Sequence, residues 1–127
     1  MLSDFDAAAM IPVKDLSTTR RWYEDVLGLT PVVEDPGGIT YKTGAGVINL
    51  YPTEFTGAKH TLVGWNVPNI EATIDELTAK GVTFEQYDLG ELKTDAKGIA
   101  DFGDGGKGAW FKDPEGNILS LWEAKQR

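Results

Sequence analysis

The sequence offers few histidine, cysteine or serine side chains in arrangements suited to catalysis or metal binding. The sequence has one histidine, His60, and no cysteine, which excludes disulfides, thiolate metal sites and cysteine nucleophiles. None of its serines lies in the G-x-S-x-G turn that activates a serine nucleophile. Asp6 and Glu123 lie near predicted strand ends, and a carboxylate there can act as an acid or base if it faces a cleft. The sequence gives no reason to prefer such a role to a solvent-exposed position, so we predict no catalytic residue.

Two other motifs have structural explanations. Asp113 and Glu115 belong to the turn sequence DPEGN at residues 113–117, and we expect both to be solvent-exposed turn acids. Residues 103–108, GDGGKG, match the G-x-G-x-x-G pattern of dinucleotide-binding loops. Such a loop opens a helix whose N-terminus binds the pyrophosphate, whereas the apolar residues after this one indicate a strand. We predict a glycine-rich connection between strands.

Composition and charge exclude several classes of function. Twelve basic against twenty acidic residues give a net charge of −8, so the chain lacks the basic surface that nucleic-acid binding requires. An acidic protein attracts cations, although solubility alone also explains such a charge. No apolar run is long enough to span a membrane, and the first residues do not resemble a signal peptide. We expect a cytoplasmic location.

The hydrophobic pattern predicts two similar series of elements. Asp15 or Ser17 is suited to cap a helix through Leu27, and Asn69 to cap a helix through Lys80. Alternating apolar residues and turn residues predict strands around these helices. The predicted strands cover residues 7–13, 29–34, 39–42, 47–52, 61–67, 82–87, 99–102, 109–111 and 118–122.

The two series indicate an internal repeat. Residues 11–29 and 65–82 share their apolar positions, their helix cap and their terminal glycine with one gap, which favours a duplicated unit of about 55 to 60 residues. We expect an α+β fold in which paired βαβββ modules form a half-open barrel around a central cleft, with the helices outside. The prediction is one domain over residues 1–127, with modules at about 5–57 and 60–125.

Several of these motifs together resemble the vicinal oxygen chelate superfamily, which includes glyoxalase, bleomycin resistance proteins and extradiol dioxygenases. They are IPVKDL, WYEDVLGL and the DPEGN turn between two strands, and the resemblance extends over residues 7–124. It implies a divalent metal held by one ligand from each of four strands, usually His, Glu or Gln. The matching positions hold Ala8, Asn49, Leu62 and Ser120, so we predict no metal site and no cofactor.

Without a metal site, the predicted cleft is lined by apolar and aromatic side chains, and such a lining suits an organic ligand. For Tyr51 and Trp122, packing between the sheets is an equally good explanation. For His60, a solvated position at a strand end and a weak metal ligand are the alternatives to ligand contact. The predicted ligand-binding residues are Met10, Asn49, Tyr51, His60, Leu62, Trp110, Ser120 and Trp122.

The leading functional hypothesis is metal-independent binding of a small aromatic or cationic molecule, similar to the bleomycin-resistance branch. One alternative is a metal-dependent lyase, isomerase or dioxygenase whose unconventional site includes His60 and a carboxylate such as Asp6 or Glu123. Another alternative is an interaction module without ligand chemistry. The resemblance also implies a homodimer, in which a second chain contributes to the cleft and modules are sometimes exchanged.

Overall fold

The computed structural model describes residues 1–4, 6–57, 59–90, 92–103 and 106–124. After a short 3-10 turn at Leu2–Asp4, the helices of the described chain are α1 (Leu16–Asp25) and α2 (Ile70–Ala79). The strands are β1 (Ala9–Val13), β2 (Pro31–Asp35), β3 (Gly38–Thr43), β4 (Gly46–Pro52), β5 (Thr61–Asn66), β6 (Asp88–Leu89), β7 (Leu92–Lys93), β8 (Ala100–Asp101), β9 (Lys107–Lys112) and β10 (Ile118–Glu123).

Both helices begin at side chains that the sequence predicts as caps. The Asp15 carboxylate accepts a hydrogen bond from the Thr18 N–H at 3.2 Å, and the Asn69 side-chain oxygen accepts one from the Ala72 N–H at 3.1 Å. Each cap satisfies an amide of the first turn that has no partner within the helix. At the other end, α1 stops at Asp25, two residues before the predicted end.

The strands form two four-stranded sheets with equivalent connections, in the orders β1-β4-β3-β2 and β5-β10-β9-β8. In each sheet the strand before the helix pairs in parallel with the last strand of its module, and the other pairs are antiparallel. The edge strands β1 and β5 lie next to each other. This topology confirms the predicted α+β fold of paired βαβββ modules in a half-open arrangement.

A group of packed aromatic rings in the hydrophobic core joins the two modules. The buried ring of Phe111 lies 6.2 Å from Trp22, 6.4 Å from Trp65 and 5.3 Å from Phe84, measured between ring centroids. Trp22 belongs to α1 of the first module, whereas the other three rings belong to the second. Burial of large aromatic side chains is a major source of stability, so the modules share a single core.

The second module departs from the predicted strands after α2. Residues 82–87 do not form a strand, and their one bridge joins Phe84 to Phe111. Residues 82–87 cannot pair along the whole of β9, because β8 already pairs with the same edge of β9 at Lys107 and Gly108. The hairpin of β6 and β7 follows instead, and the sequence analysis did not predict it.

Neither of the described helices is both long enough and apolar enough to cross a membrane.

Candidate functional site

The two sheets have one surface that faces away from the core, and we call it the open face. Ile48 and Leu50 of β4 and Leu119 and Leu121 of β10 are buried in the core. Because side chains alternate along a strand, the residues between them point to the opposite side. The predicted ligand-binding residues that lie on the open face are Met10, Asn49, Tyr51, Trp110, Ser120 and Trp122.

On the first sheet, three neighbouring side chains form what we call the polar row. Met10, Asn49 and Thr40 are direct cross-strand neighbours on β1, β4 and β3. The Thr40 hydroxyl donates to the Asn49 side-chain oxygen, and the Asn49 Nδ2 donates to the Met10 Sδ at 3.3 Å. These contacts fix the orientation of the amide. Met10 is 53% exposed, so the polar row is accessible from solvent.

On the second sheet, four rings form what we call the aromatic cluster. Tyr87 meets Trp110 edge to face at 5.8 Å between centroids, and Phe102 stacks on Trp122 at 5.8 Å with an angle of 27° between planes. Phe102 is 42% exposed, and both indoles are half-buried. Accessible aromatic rings offer stacking surfaces to flat organic molecules.

Gly108 lies beneath both indoles of the aromatic cluster. A Cβ atom at this position would lie 3.0 Å from the Trp122 ring and 3.2 Å from the Trp110 ring. Such distances are shorter than ordinary van der Waals contact, so a larger residue would displace one or both rings. The glycine-rich segment leads into strand β9 and not into a helix, which agrees with the predicted strand connection. Its residues 104 and 105 lie outside the described part of the chain.

An ion pair lies beside the aromatic cluster. The Lys112 ammonium is 3.2 Å from a carboxylate oxygen of Glu85, and Glu85 binds Trp110 through a backbone hydrogen bond of 2.8 Å. Burial of the ring, together with the nearby Glu85 charge, raises the pKa of the Tyr87 phenol. Tyr87 therefore remains protonated at neutral pH, and its hydroxyl can donate a hydrogen bond.

Two of the predicted ligand-binding residues, His60 and Leu62, are not among those that alternation places on the open face. His60 is exposed just before β5 and makes no side-chain hydrogen bond within the described residues. Leu62 is partly buried and packs against the core. The reason lies in a bulge, since Ile118 pairs with Thr61 and Leu119 with Val63, which leaves Leu62 without a partner. A role in binding remains a prediction for both.

Thr40 of the polar row and Tyr87 and Phe102 of the aromatic cluster were missed by the sequence analysis. Alternation from the buried Ile39 and Tyr41 would have placed Thr40 on the open face. Phe102 is the last residue of the predicted strand 99–102, and the sequence does not indicate which face of the sheet its ring occupies. No sequence pattern identifies Tyr87, because residues 82–87 do not form a strand and instead contact β9 through a single bridge and a single backbone hydrogen bond.

The four positions that the resemblance assigns to metal ligands do not fit a divalent metal here. Ala8 and Leu62 have no side-chain donor atom, and the Asn49 oxygen already accepts a hydrogen bond from Thr40. The Ser120 hydroxyl lies close against Gly64, where an added Cβ would be 2.6 Å from its Oγ. Within the described ranges, no three His, Cys, Asp or Glu residues are grouped as a metal site requires.

The prediction that Asp113 is a solvated turn acid is wrong. Asp113 is 5% exposed, and its Oδ2 accepts hydrogen bonds from the Tyr23 hydroxyl at 2.7 Å and the Asn117 Nδ2 at 2.9 Å. The Asn117 Nδ2 also donates to the backbone oxygen of Pro12 at 2.9 Å. The turn thus binds α1 and β1, about a hundred residues earlier in the chain, and a local sequence pattern cannot reveal such contacts.

Glu115 and Glu123 also have structural partners. A Glu115 oxygen accepts from the Asp15 N–H at 2.8 Å and the Thr19 hydroxyl at 3.0 Å at the start of α1. Glu123 accepts from the Ile70 N–H at 2.9 Å at the start of α2. Carboxylates at helix N-termini are favoured by the helix dipole. Neither acid is therefore a free acid or base facing the open face, while Asp6 is exposed.

The hydrogen bonds of Glu115 predict a loss of stability in acid. Its burial opposes ionisation, but hydrogen bonds from the Asp15 and Lys14 amides and from two threonine hydroxyls outweigh burial and lower its pKa. A carboxyl with a lowered folded-state pKa stabilises the fold above its unfolded pKa, and this stabilisation is lost as the pH falls through the folded-state value.

We expect Glu115→Gln to lower the free energy of unfolding by up to about 1 kcal/mol at neutral pH, since solvent screens this half-buried group. The difference from wild type should shrink below about pH 4.5, as measured by urea unfolding at a series of pH values. The exposed Glu54→Gln is the control and should show no such trend. A Glu115→Gln deficit that stays constant down to pH 2 would contradict the assignment.

The chain is similar in sequence to a known superfamily and in structure to several of its solved members. The model of the Glyoxalase/Bleomycin resistance protein/Dioxygenase superfamily matches residues 7–121. A bleomycin resistance determinant encoded on the transposon Tn5 superposes with a TM-score of 0.71 at 18% identity, covering 96% of this chain and 99% of that one. TnmS3, an antibiotic-binding protein from Streptomyces, gives 0.69 at 20% identity, covering 95% and 98%. Lactoylglutathione lyase from Agrobacterium tumefaciens gives 0.68 at 17% identity, covering 94% and 92%.

The chain therefore belongs to the glyoxalase/bleomycin resistance protein/dioxygenase superfamily. No functionally curated protein matches its sequence significantly. At these identities the structural likeness establishes the fold alone, and the similar structures include both an antibiotic-binding protein and a lyase. Function must consequently be argued from the open face itself.

Proposed function

We propose that the open face binds a small aromatic or cationic organic molecule without a bound metal ion. The observation that carries the proposal is the aromatic cluster, in which two ring pairs lie side by side over Gly108 on a solvent-accessible surface. Rings in such positions recognise flat molecules by stacking, and the polar row supplies an amide and a thioether that fix their orientation. The similar fold of TnmS3, an antibiotic-binding protein, is consistent with this use.

The charge of the protein favours a cationic ligand. The net charge of −8 attracts cations, and the Glu85 carboxylate is near enough to the Tyr87 phenol of the aromatic cluster to help raise its pKa. A cation above an indole face gains about 0.5 to 2 kcal/mol. Lys112 partly neutralises Glu85, so the ring faces are expected to contribute more than the single carboxylate.

A second copy of the chain is proposed to cover the open face. Met10 and Phe102 on this face remain well exposed, at 53% and 42%, and so does Val33 at 50%, which is the cross-strand partner of Thr40. Apolar surface of this kind usually marks an interface or a binding groove. A homodimer would bury these residues and enclose the ligand between two chains. Analytical ultracentrifugation with and without ligand measures the oligomeric state directly, and a monomer under both conditions would contradict the dimer.

The enzyme alternative has less support from the described contacts. Glu123, a suggested partner of His60 in an unconventional metal site, instead binds the start of α2. The interaction-module alternative requires a surface filled by its own side chains, whereas the aromatic cluster and the polar row are both partly exposed. Ligand binding is therefore the better-supported proposal.

The proposal is tested by NMR titration of 15N-labelled protein, observing the four indole N–H signals. The panel should contain planar aromatic molecules, quaternary ammonium ions and molecules that combine both features. At least one should shift the Trp110 and Trp122 signals in a saturable way, while the Trp22 signal stays fixed because its ring packs in the core. A panel that moves neither open-face indole would refute the proposal.

A further inference from the structure

A separate cavity lies on the helix side of the sheets, which we call the inter-helix pocket. Its volume is about 220 Å³. The chain after α1 forms one wall with Val26, Leu27 and Leu29, and the second module forms the opposite wall with Trp65 and Leu77. The pocket therefore lies at the junction of the two modules, on the other side of the sheets from the open face.

The shape of the pocket follows from the way α1 ends. Gly28 adopts a φ of +71°, and the Leu29 N–H bonds back to the Tyr23 oxygen at 3.1 Å, so the chain turns sharply at the end of α1. The side chains of Val26, Leu27 and Leu29 are only partly buried as a result. Displacing water from an apolar concavity of this kind favours binding of an apolar group.

The mouth of the pocket has two opposite charges at the end of α2. Glu76 and Lys80 both line the pocket, with Glu76 in the last turn of α2 and Lys80 at its C-cap. Within the described part of the chain, neither side chain takes part in an ion pair. Asn66 and Thr73 are the uncharged polar residues of the lining. The mouth is therefore complementary to a group that carries both signs of charge.

We propose that the inter-helix pocket binds a small zwitterion with an apolar or aromatic side chain, the chemistry of a hydrophobic amino acid. Its ammonium pairs with Glu76, its carboxylate pairs with Lys80, and its side chain contacts Trp65 and Leu77. The volume of about 220 Å³ is below the roughly 300 to 1,000 Å³ of pockets for drug-sized ligands, which suits a metabolite of this size. The site is independent of the function proposed for the open face.

The test uses methyl and indole NMR signals with L-phenylalanine as the probe, compared with phenethylamine and 3-phenylpropanoate, each of which lacks one charge. L-phenylalanine should shift the Trp65 indole and the Leu27 and Leu77 methyls in a saturable way and leave the Trp122 indole unchanged. The singly charged analogues should bind about two- to fivefold more weakly, as expected for the loss of one solvent-exposed ion pair.

Charge variants provide the matched control. Glu76 and Lys80 are exposed, so we expect Glu76→Gln and Lys80→Gln to leave the fold intact, and each should weaken L-phenylalanine binding about two- to fivefold. Glu71→Gln removes a charge from the same helix outside the lining and should leave the affinity unchanged. The proposal is overturned if neither L-phenylalanine nor L-leucine gives a saturable shift at millimolar concentration. It is also overturned if the shifts fall on Trp122, or if all three variants bind equally well.

Discussion

Replacing Asp113 with alanine is expected to lower the free energy of unfolding by about 3 to 5 kcal/mol, because several buried donors lose their acceptor together. Its Oδ1 accepts from the Glu115 and Asn117 amides, and its Oδ2 accepts from the Tyr23 hydroxyl and the Asn117 side chain. Tyr23 and Asn117 are fully buried, so water cannot replace the lost carboxylate. The measurement is urea unfolding at neutral pH.

Asp95 is a matched control for this prediction. Its Oδ1 accepts from the amides two and four residues later, Lys97 and Ile99, which is the same local pattern as that of Asp113. Asp95 is exposed, so Asp95→Ala should cost only about 1 kcal/mol. Equal losses for the two variants would mean that the contacts between the turn and the first module contribute little, and the argument for a shared core would weaken.

The second large effect is expected on ligand affinity. Trp122→Ala and Trp110→Ala should each weaken binding of an open-face ligand about thirtyfold, which corresponds to the roughly 2 kcal/mol typical of a central aromatic contact. Trp22→Phe changes an indole in the core and should alter stability without altering affinity. Dissociation constants from isothermal titration calorimetry test this prediction, provided that circular dichroism shows each variant to be folded.

An unchanged affinity in both open-face variants would contradict a binding site at the aromatic cluster. A thirtyfold loss in Trp110→Ala alone would instead confine the ligand to the side of the cluster next to Tyr87. An equal loss in Trp22→Phe would show that the measured effect comes from general destabilisation rather than from ligand contact.

The fold was predictable because its signals are local and repeated. Asp15 and Asn69 each precede an apolar helical pattern, and both cap helices as predicted. Alternation in 118–122 puts Leu119 and Leu121 together on one face of the strand, and both are buried in the core. Two copies of one pattern in a short chain left few alternatives to paired modules.

The contacts that complete the site were not predictable in the same way. The exposed position expected for Asp113 was wrong, because its partner Tyr23 lies ninety residues away and turn acids look alike in sequence. Leu62 was expected on the cleft side, but an extra residue in β5 disturbs simple alternation around it. Tyr87 reaches Trp110 from a segment that is not a strand, so no periodicity identifies it.

The most direct test of metal-independent binding at the open face is one titration carried out on two preparations. The best ligand from the panel is titrated into protein stripped with a chelator and into protein loaded with Mn, Fe, Ni or Zn, and the metal content per chain is counted by mass spectrometry. We expect the same dissociation constant in both preparations and far less than one metal per chain after dialysis. Binding that appears only in the loaded protein, with close to one metal per chain, would contradict the account and would favour a metal-dependent enzyme.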